Sequence, residues 1–334
     1  MQNLKGQDQL KKLFWTELNY DKVSSPLSRK GWGEQASSAL ADDPMLFATG
    51  SKDFHVIHAR LKADRPLMGM ERPVVSRLLR DHPYALFIFS NASQDQWHFL
   101  NVKYDDDVEK RRIFRRITVG PDERLRTASE RISLLDLDSI SPKPAGLSLL
   151  EIQTRHDQAF DVEPVTQEFF RTFAGVYHRV ADEIAAVRGL EKEAGRLSQL
   201  LLDRLLFLYF IQKKGWLNNE PDYLYKRFRE HYRKSPKSES FHADVLQPLF
   251  YRLSDPDSQD SDLGAIPFLN GGLFEESQQQ SQAERIRHAR MTVKNSTFKV
   301  IFDDLLEKFN FTVTEDTPLD VEVAIDPEML GQDF

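Results

Sequence analysis

The strongest constraint on what this chain folds into is the stretch from Asp203 to Trp216, DRLLFLYFIQKKGW. Every residue from Leu205 to Ile211 is apolar or aromatic, and Lys213-Lys214-Gly215 supplies a helix stop. A helix that is apolar on nearly every side must be enclosed by other protein. The run is far shorter than the ~20 residues that a membrane span requires. Further helices must therefore surround it. The pattern from Val165 onward provides them, with helical periodicity over about 165–188, 190–213, 220–233, 241–253 and 296–309.

The first 137 residues read differently. Leu4, Leu10, Leu13, Phe14 and Leu18 fall near helical spacing, so 4–20 is expected as a helix. Ser24 to Ser28, with Pro26, and Gly31 to Gly33 read as loop. Phe54 to Lys62 alternates and reads as a strand, and Glu71 to Asp81 as a helix closed by His82-Pro83. Ala85–Ser90 and Trp97–Tyr104, joined by a polar turn, read as an antiparallel pair, with 112–118 as a third strand. Asp138 to Ala145, with Pro142 and Pro144, is the expected linker. The fold class is α+β: a mixed α/β domain over 1–137, a linker over 138–164 and a mainly helical domain over 165–334.

Net charge is −7, but its distribution is uneven. From Asp303 to Phe334 there are ten acids and one base, Lys308, which leaves the remainder of the chain at +2. Basic blocks run from Lys110 to Arg131 and from Lys213 to Lys237. The acidic end holds too many apolar residues (Phe309, Phe311, Val313, Val321, Val323, Ile325) for a disordered tail, and reads as a solvated face or an interface for a neighbouring domain. The sequence has no cysteine, which excludes disulfides, thiolate zinc sites and a cysteine nucleophile. Met1 to Lys5 contains no apolar signal region, and a cytoplasmic protein without membrane contact is expected.

Three segments, Asp203 to Trp216, Pro267 to Phe274 (PFLNGGLF) and Asp320 to Gly331 (DVEVAIDPEMLG), resemble the region that precedes the methyltransferase domain in type IIG-like restriction–modification enzymes, which are adenine-specific DNA methyltransferases. The resemblance implies a helical connector leading into that domain, and a chain that ends about where the domain begins. S-adenosylmethionine and an Asn-Pro-Pro-Tyr/Phe pocket for a flipped adenine belong to the absent domain. The nearest look-alike here, Asp81-His82-Pro83-Tyr84, lacks the Asn-Pro-Pro dipeptide. Gly271-Gly272 is a tight turn rather than a nucleotide loop, since no Gly-Lys-Ser/Thr follows.

The resemblance also implies an N-terminal nuclease of the PD-(D/E)xK type. Such a site needs an Asp on one strand and an acid–x–Lys triplet on the next, with the carboxylates on Mg²⁺ and the Lys orienting the attacking water. Strand alternation puts both triplet side chains on one face. Here the triplets are Asn101-Val102-Lys103 and Arg60-Leu61-Lys62, and neither supplies a carboxylate. Glu17, Asp53 and Glu71 are the acids in reach, and with Lys103 they are the candidate catalytic set. Mg²⁺ is required only if that set operates. His55, His58 and His98 lie on the same strands, but a separation of three sends His55 and His58 to opposite faces, which favours buried strand histidines over a metal site.

Arg111, Arg112, Arg115 and Arg116, interleaved with Phe114, form a guanidinium set suited to phosphate, or else a charged sheet edge that blocks strand pairing. Tyr223 to Lys234 is an amphipathic helix with Lys226, Arg227, Arg229, Arg233 and Lys234 outward. Such contacts position a protein on double-stranded DNA without reading sequence. Two functions follow. One is the DNA-engaging, nuclease-like N-terminal portion of a restriction–modification, phage-defence methyltransferase. The other is a non-catalytic scaffold that docks a separate methyltransferase domain or subunit through the acidic C-terminal segment.

Overall fold

The computed structural model describes residues 4–50, 53–104, 112–121, 123, 125–140, 147–255, 261–269, 272–274, 290–311 and 320–322. The chain divides into two compact units, Met1–Val165 with Thr314–Ala324, and Thr166–Val313 with Ile325–Phe334. The α+β class read from the sequence is the class observed.

The first unit is built on a seven-stranded sheet whose spatial order follows the chain. Its strands are β1 (Asp21–Pro26), β2 (Met45–Thr49), β3 (His55–Arg60), β4 (Ala85–Ser90), β5 (Trp97–Tyr104), β6 (Arg112–Val119) and β7 (Asp320–Glu322). The first three strands form an antiparallel meander. Helix α3 (Met68–Leu78) then crosses over to β4, which runs parallel to β3. β4, β5 and β6 are antiparallel, and β7 adds to β6 in parallel. α1 (Gln7–Lys12) precedes the sheet and continues as a π turn over Leu13–Glu17. α2 (Glu34–Ala39) lies between β1 and β2.

Strand alternation makes two cores. On one face, Ile57, Ala59, Phe87, Phe89, Leu100 and Val102 meet Ala36 and Ala39 of α2 and Val74, Val75 and Leu78 of α3. On the other, Phe14 packs edge-on to Tyr20 (5.2 Å) and Phe47 (5.5 Å) and stacks on Phe99 at 6.4 Å. Each fully buried ring of this kind contributes about 1.5–3 kcal/mol in transfer free energy.

Two expectations are corrected. Ser24 to Pro26, read as loop, lie in β1. β1 is an edge strand, where Pro is tolerated and polar residues face solvent, so its composition mimics a loop. The stretch expected as linker instead carries α5 (Leu137–Ile140) and α6 (Leu149–Ala159). α6 starts with a reciprocal capping box between Ser148 and Glu151. It packs so closely over Gly50 that a Cβ there would sit 3.1 Å from Ile152 Cδ1 and 3.2 Å from Tyr20 Cε1. Arg131, from α4 (Leu125–Ser133), donates to the backbone oxygens of Gln158, Ala159 (2.8 Å) and Asp161 (3.0 Å), answering the carbonyls orphaned at the end of α6.

In the second unit, α7 (Glu163–Ala185), which begins at the boundary, is followed by α8 (Ala194–Lys213) and α9 (Tyr223–Lys234). α10 (Gln247–Ser254) follows a π turn at His242–Leu246, and α11 (Asn295–Val300) runs into another at Ile301–Leu306. α8 is enclosed over most of its surface: Leu201, Leu202, Leu205, Leu206, Leu208, Tyr209, Phe210 and Ile211 are buried, while Phe207 is 37% exposed. Its end is a Schellman motif. Trp216 N donates to Ile211 O at 3.1 Å, Gly215 N donates to Gln212 O at 2.9 Å, and Gly215 takes φ 77°. Phe302 stacks on Phe228 at 4.6 Å, and Phe311 meets Tyr209 (5.6 Å) and Phe210 (5.4 Å). Among the described residues no helix is long and apolar enough to cross a membrane. Of the acidic end, 312–319 and 323–334 lie outside the described residues, as do Gly271 and 278–282.

Candidate functional site

Polar side chains of the first unit gather where β5 and β6 meet α6. Period-2 geometry puts Asn101 and Lys103 on the face that α6 covers, and Arg115, register partner of Asn101, joins them. From the helix side, Gln153 and Asp157 are one turn apart, and Asp161 follows just past the helix end. The result is an open cleft of about 420 Å³ lined by Tyr84, Lys103, Arg115, Gln153, Asp157 and Asp161, among others.

Asn101, the neighbour of Asp157, is fully buried. Its Nδ2 donates to Asp157 Oδ1 at 2.8 Å, and Gln153 Nε2 donates to the same oxygen at 2.9 Å. Arg115 reaches Asp161 Oδ1 at 3.4 Å, while its buried Nε has no hydrogen-bond partner. The strand that lacks a carboxylate in its Asn-Val-Lys triplet thus has one delivered to it from a helix 56 residues later. The sequence signal for Asp157 and Asp161 was their i, i+4 spacing with Gln153 behind a Ser148-x-x-Glu151 cap, inside a segment read as linker.

The four candidate catalytic residues do not converge. Glu17 and Asp53 are exposed. Glu71 is fully buried on α3, where His98 Nδ1 and Glu71 Oε1 are 2.5 Å apart. His98 alternates with Lys103 along β5, so the Glu71–His98 pair and Lys103 lie on opposite faces of the sheet. Arg60 of the second triplet pairs with Asp42 at 2.7 Å. Magnesium takes near-octahedral oxygen ligation through one or two carboxylates. Glu17, Asp53 and Glu71 do not assemble such a set, and among the described residues no group of three His, Asp or Glu side chains could hold a metal ion.

The histidines fall on opposite faces as their spacing required. His58 Nε2 meets Ser90 Oγ at 2.9 Å beside Trp97, and burial pushes its pKa down to about 4. On the other face His55 Nδ1 lies 2.9 Å from His82 Nδ1. The His82 pairing was not anticipated, because 27 residues separate the two rings.

Two of the four side chains of the guanidinium set, Arg115 and Arg116, are described. β7 pairs with β6 over Phe114 to Arg116, so that part of the strand is not an edge. Arg116 is buried, Arg115 faces Asp161, Arg111 lies outside the described residues, and Arg112 is described only as strand backbone. α9 keeps its basic face. Tyr223, Leu224 and Phe228 are buried, Arg227 and Arg229 lie over the Tyr223 and Tyr225 rings at 5.1 and 5.6 Å, and Arg233 and Lys234 are exposed. Lys226 pairs with Glu220 at 2.6 Å.

No protein-family model matches the chain, and no solved structure matches it. A type II restriction enzyme and methyltransferase of Methanocaldococcus jannaschii is 28% identical over 149 residues, which is 42% of this chain and 12% of that protein. The chain is therefore related to a restriction–modification protein, and the match spans a small part of that relative's length.

Proposed function

We propose that this chain is the DNA-engaging, non-methylating portion of a restriction–modification protein acting in phage defence. α9 lies along the phosphate backbone, and the first unit is a nuclease-like sheet that does not cut DNA by itself. The observation that carries the reading is the basic face of α9, with five cations against one carboxylate (Glu230) over twelve residues and an apolar face buried beneath. The relationship to a restriction enzyme and methyltransferase supports DNA as the polyanion. The order helix, three-strand meander, crossover helix and parallel strand supports the nuclease-like description, while the scattered acids and the lack of a magnesium set among the described residues argue against cleavage. S-adenosylmethionine belongs to a methyltransferase domain outside this chain.

Fluorescence anisotropy on a 30-base-pair duplex tests the proposal. Affinity falls with salt, and about four phosphate contacts give a log–log slope near −3.6. Replacing Lys226, Arg229, Arg233 and Lys234 by Glu abolishes binding while the circular dichroism is kept. Unchanged binding by that variant would remove α9 from the interface. Duplex cleavage in Mg²⁺ or Mn²⁺ that is lost in Lys103→Ala would show that the first unit is a working nuclease after all.

A further inference from the structure

We propose that His55 and His82 supply two nitrogen ligands of a site for a divalent ion of the copper or nickel type. The inference is independent of DNA binding. It starts from the approach of the two rings, with Nδ1 to Nδ1 at 2.9 Å and ring centroids 4.8 Å apart in a near-perpendicular arrangement. Two facing ring nitrogens this close share one proton, because one must donate and the other accept. A metal ion takes both Nδ1 lone pairs, and the shared proton moves to Nε2 of the ring that carried it.

The separation, that of an ordinary hydrogen bond between the rings, also fits one class of ion. Two imidazole nitrogens about 2.0 Å from an ion lie roughly 2.8 Å apart in cis positions of a tetragonal geometry, and roughly 3.3 Å apart in a tetrahedral one. The observed 2.9 Å is close to the first value, and tetragonal nitrogen–oxygen coordination is the preference of Cu²⁺ and Ni²⁺. Water fills the remaining positions.

Both rings are held by regular backbone. His55 pairs with Thr49 of β2 and Ala85 of β4, and its N–H donates to Tyr84 O at 3.1 Å. His82 N donates to Leu78 O at 2.8 Å at the end of α3, and Pro83 follows. The rings are half-buried, so an ion can enter without the unit opening. Next to His82, Asp81 is paired with Arg77 at 2.7 Å.

The full chain titrated with copper(II) sulfate in a non-coordinating buffer tests the assignment, read by calorimetry and by electron paramagnetic resonance. The expected result is one tight site per chain, with nitrogen superhyperfine structure from two imidazoles. His55→Gln and His82→Gln each weaken that site at least tenfold and leave one imidazole in the spectrum. Gln keeps a hydrogen-bonding partner at either position, and circular dichroism confirms that the variants fold. His178→Gln, at an exposed position on α7, leaves the site unchanged. Copper affinity unaffected by either of the first two substitutions, or a spectrum with a single imidazole in the unsubstituted chain, overturns the proposal.

Discussion

Acid should unfold the first unit through two histidines that its core holds neutral. His58 and His156 are buried, and desolvation lowers their pKa values to about 4 and about 3 from the ordinary 6.5. His156 is fully buried, with Nε2 2.8 Å from Tyr20 Oη and Nδ1 without a partner. Both shifts are downward, so the unfolded chain binds these protons more readily than the folded one. Their stabilising contribution is therefore complete above about pH 6.5 and is lost as pH falls toward 4. At pH 5 an unfolded imidazole is almost fully protonated while the folded one is almost fully neutral, which costs about 2 kcal/mol per group. Two groups cost about 4 kcal/mol, a large part of a typical 5–15 kcal/mol. Urea unfolding at pH 7.5, 6.5, 5.5 and 5.0, followed by intrinsic tryptophan fluorescence, measures it. The expected slope below pH 6.5 approaches ~2.7 kcal/mol per pH unit. His156→Phe lowers the baseline by removing the Tyr20 contact but halves the slope, and adding His58→Gln flattens it further. A midpoint that stays constant from pH 7.5 to 5, or a slope that survives in the double variant, would refute the reasoning.

Three other outcomes are expected. Gly215→Ala puts a side chain at a φ of 77° and its Cβ 2.9 Å from Asn219 Oδ1, which lowers stability by about 1 kcal/mol and is read as a fall in Tm. Asp157→Ala strands the buried Asn101 amide and costs about 1–3 kcal/mol, and Asn101→Ala in the same chain recovers part of the loss in a double-mutant cycle. Glu71→Ala leaves the His98 ring without its hydrogen-bond partner in the core and destabilises the first unit by about 1–3 kcal/mol in urea titrations.

What the sequence discloses here is mostly local. The strands from His55, Ala85 and Trp97, the helix after Met68 and the enclosed α8 follow from period and punctuation alone. β2 escapes notice because only Phe47 and Ala48 of its five residues are deeply buried, too few for alternation to register. α6 is hidden by its partner: Leu150 is 72% exposed, and the apolar face that remains is narrow. The site suffers from the same locality. A triplet rule searches for a carboxylate two residues from a lysine, whereas here Asp157 arrives from a helix placed by tertiary packing. The basic strand misleads for the complementary reason, because nothing near Arg116 announces that residues 320–322 will cover its flank.

That late strand also bears on the order of events during synthesis. β6 emerges from the ribosome about two hundred residues ahead of Asp320–Glu322, and for all that time its outer rim has no neighbour. A product cut short before Asp320 keeps that rim bare for good, open to pairing with another nascent chain.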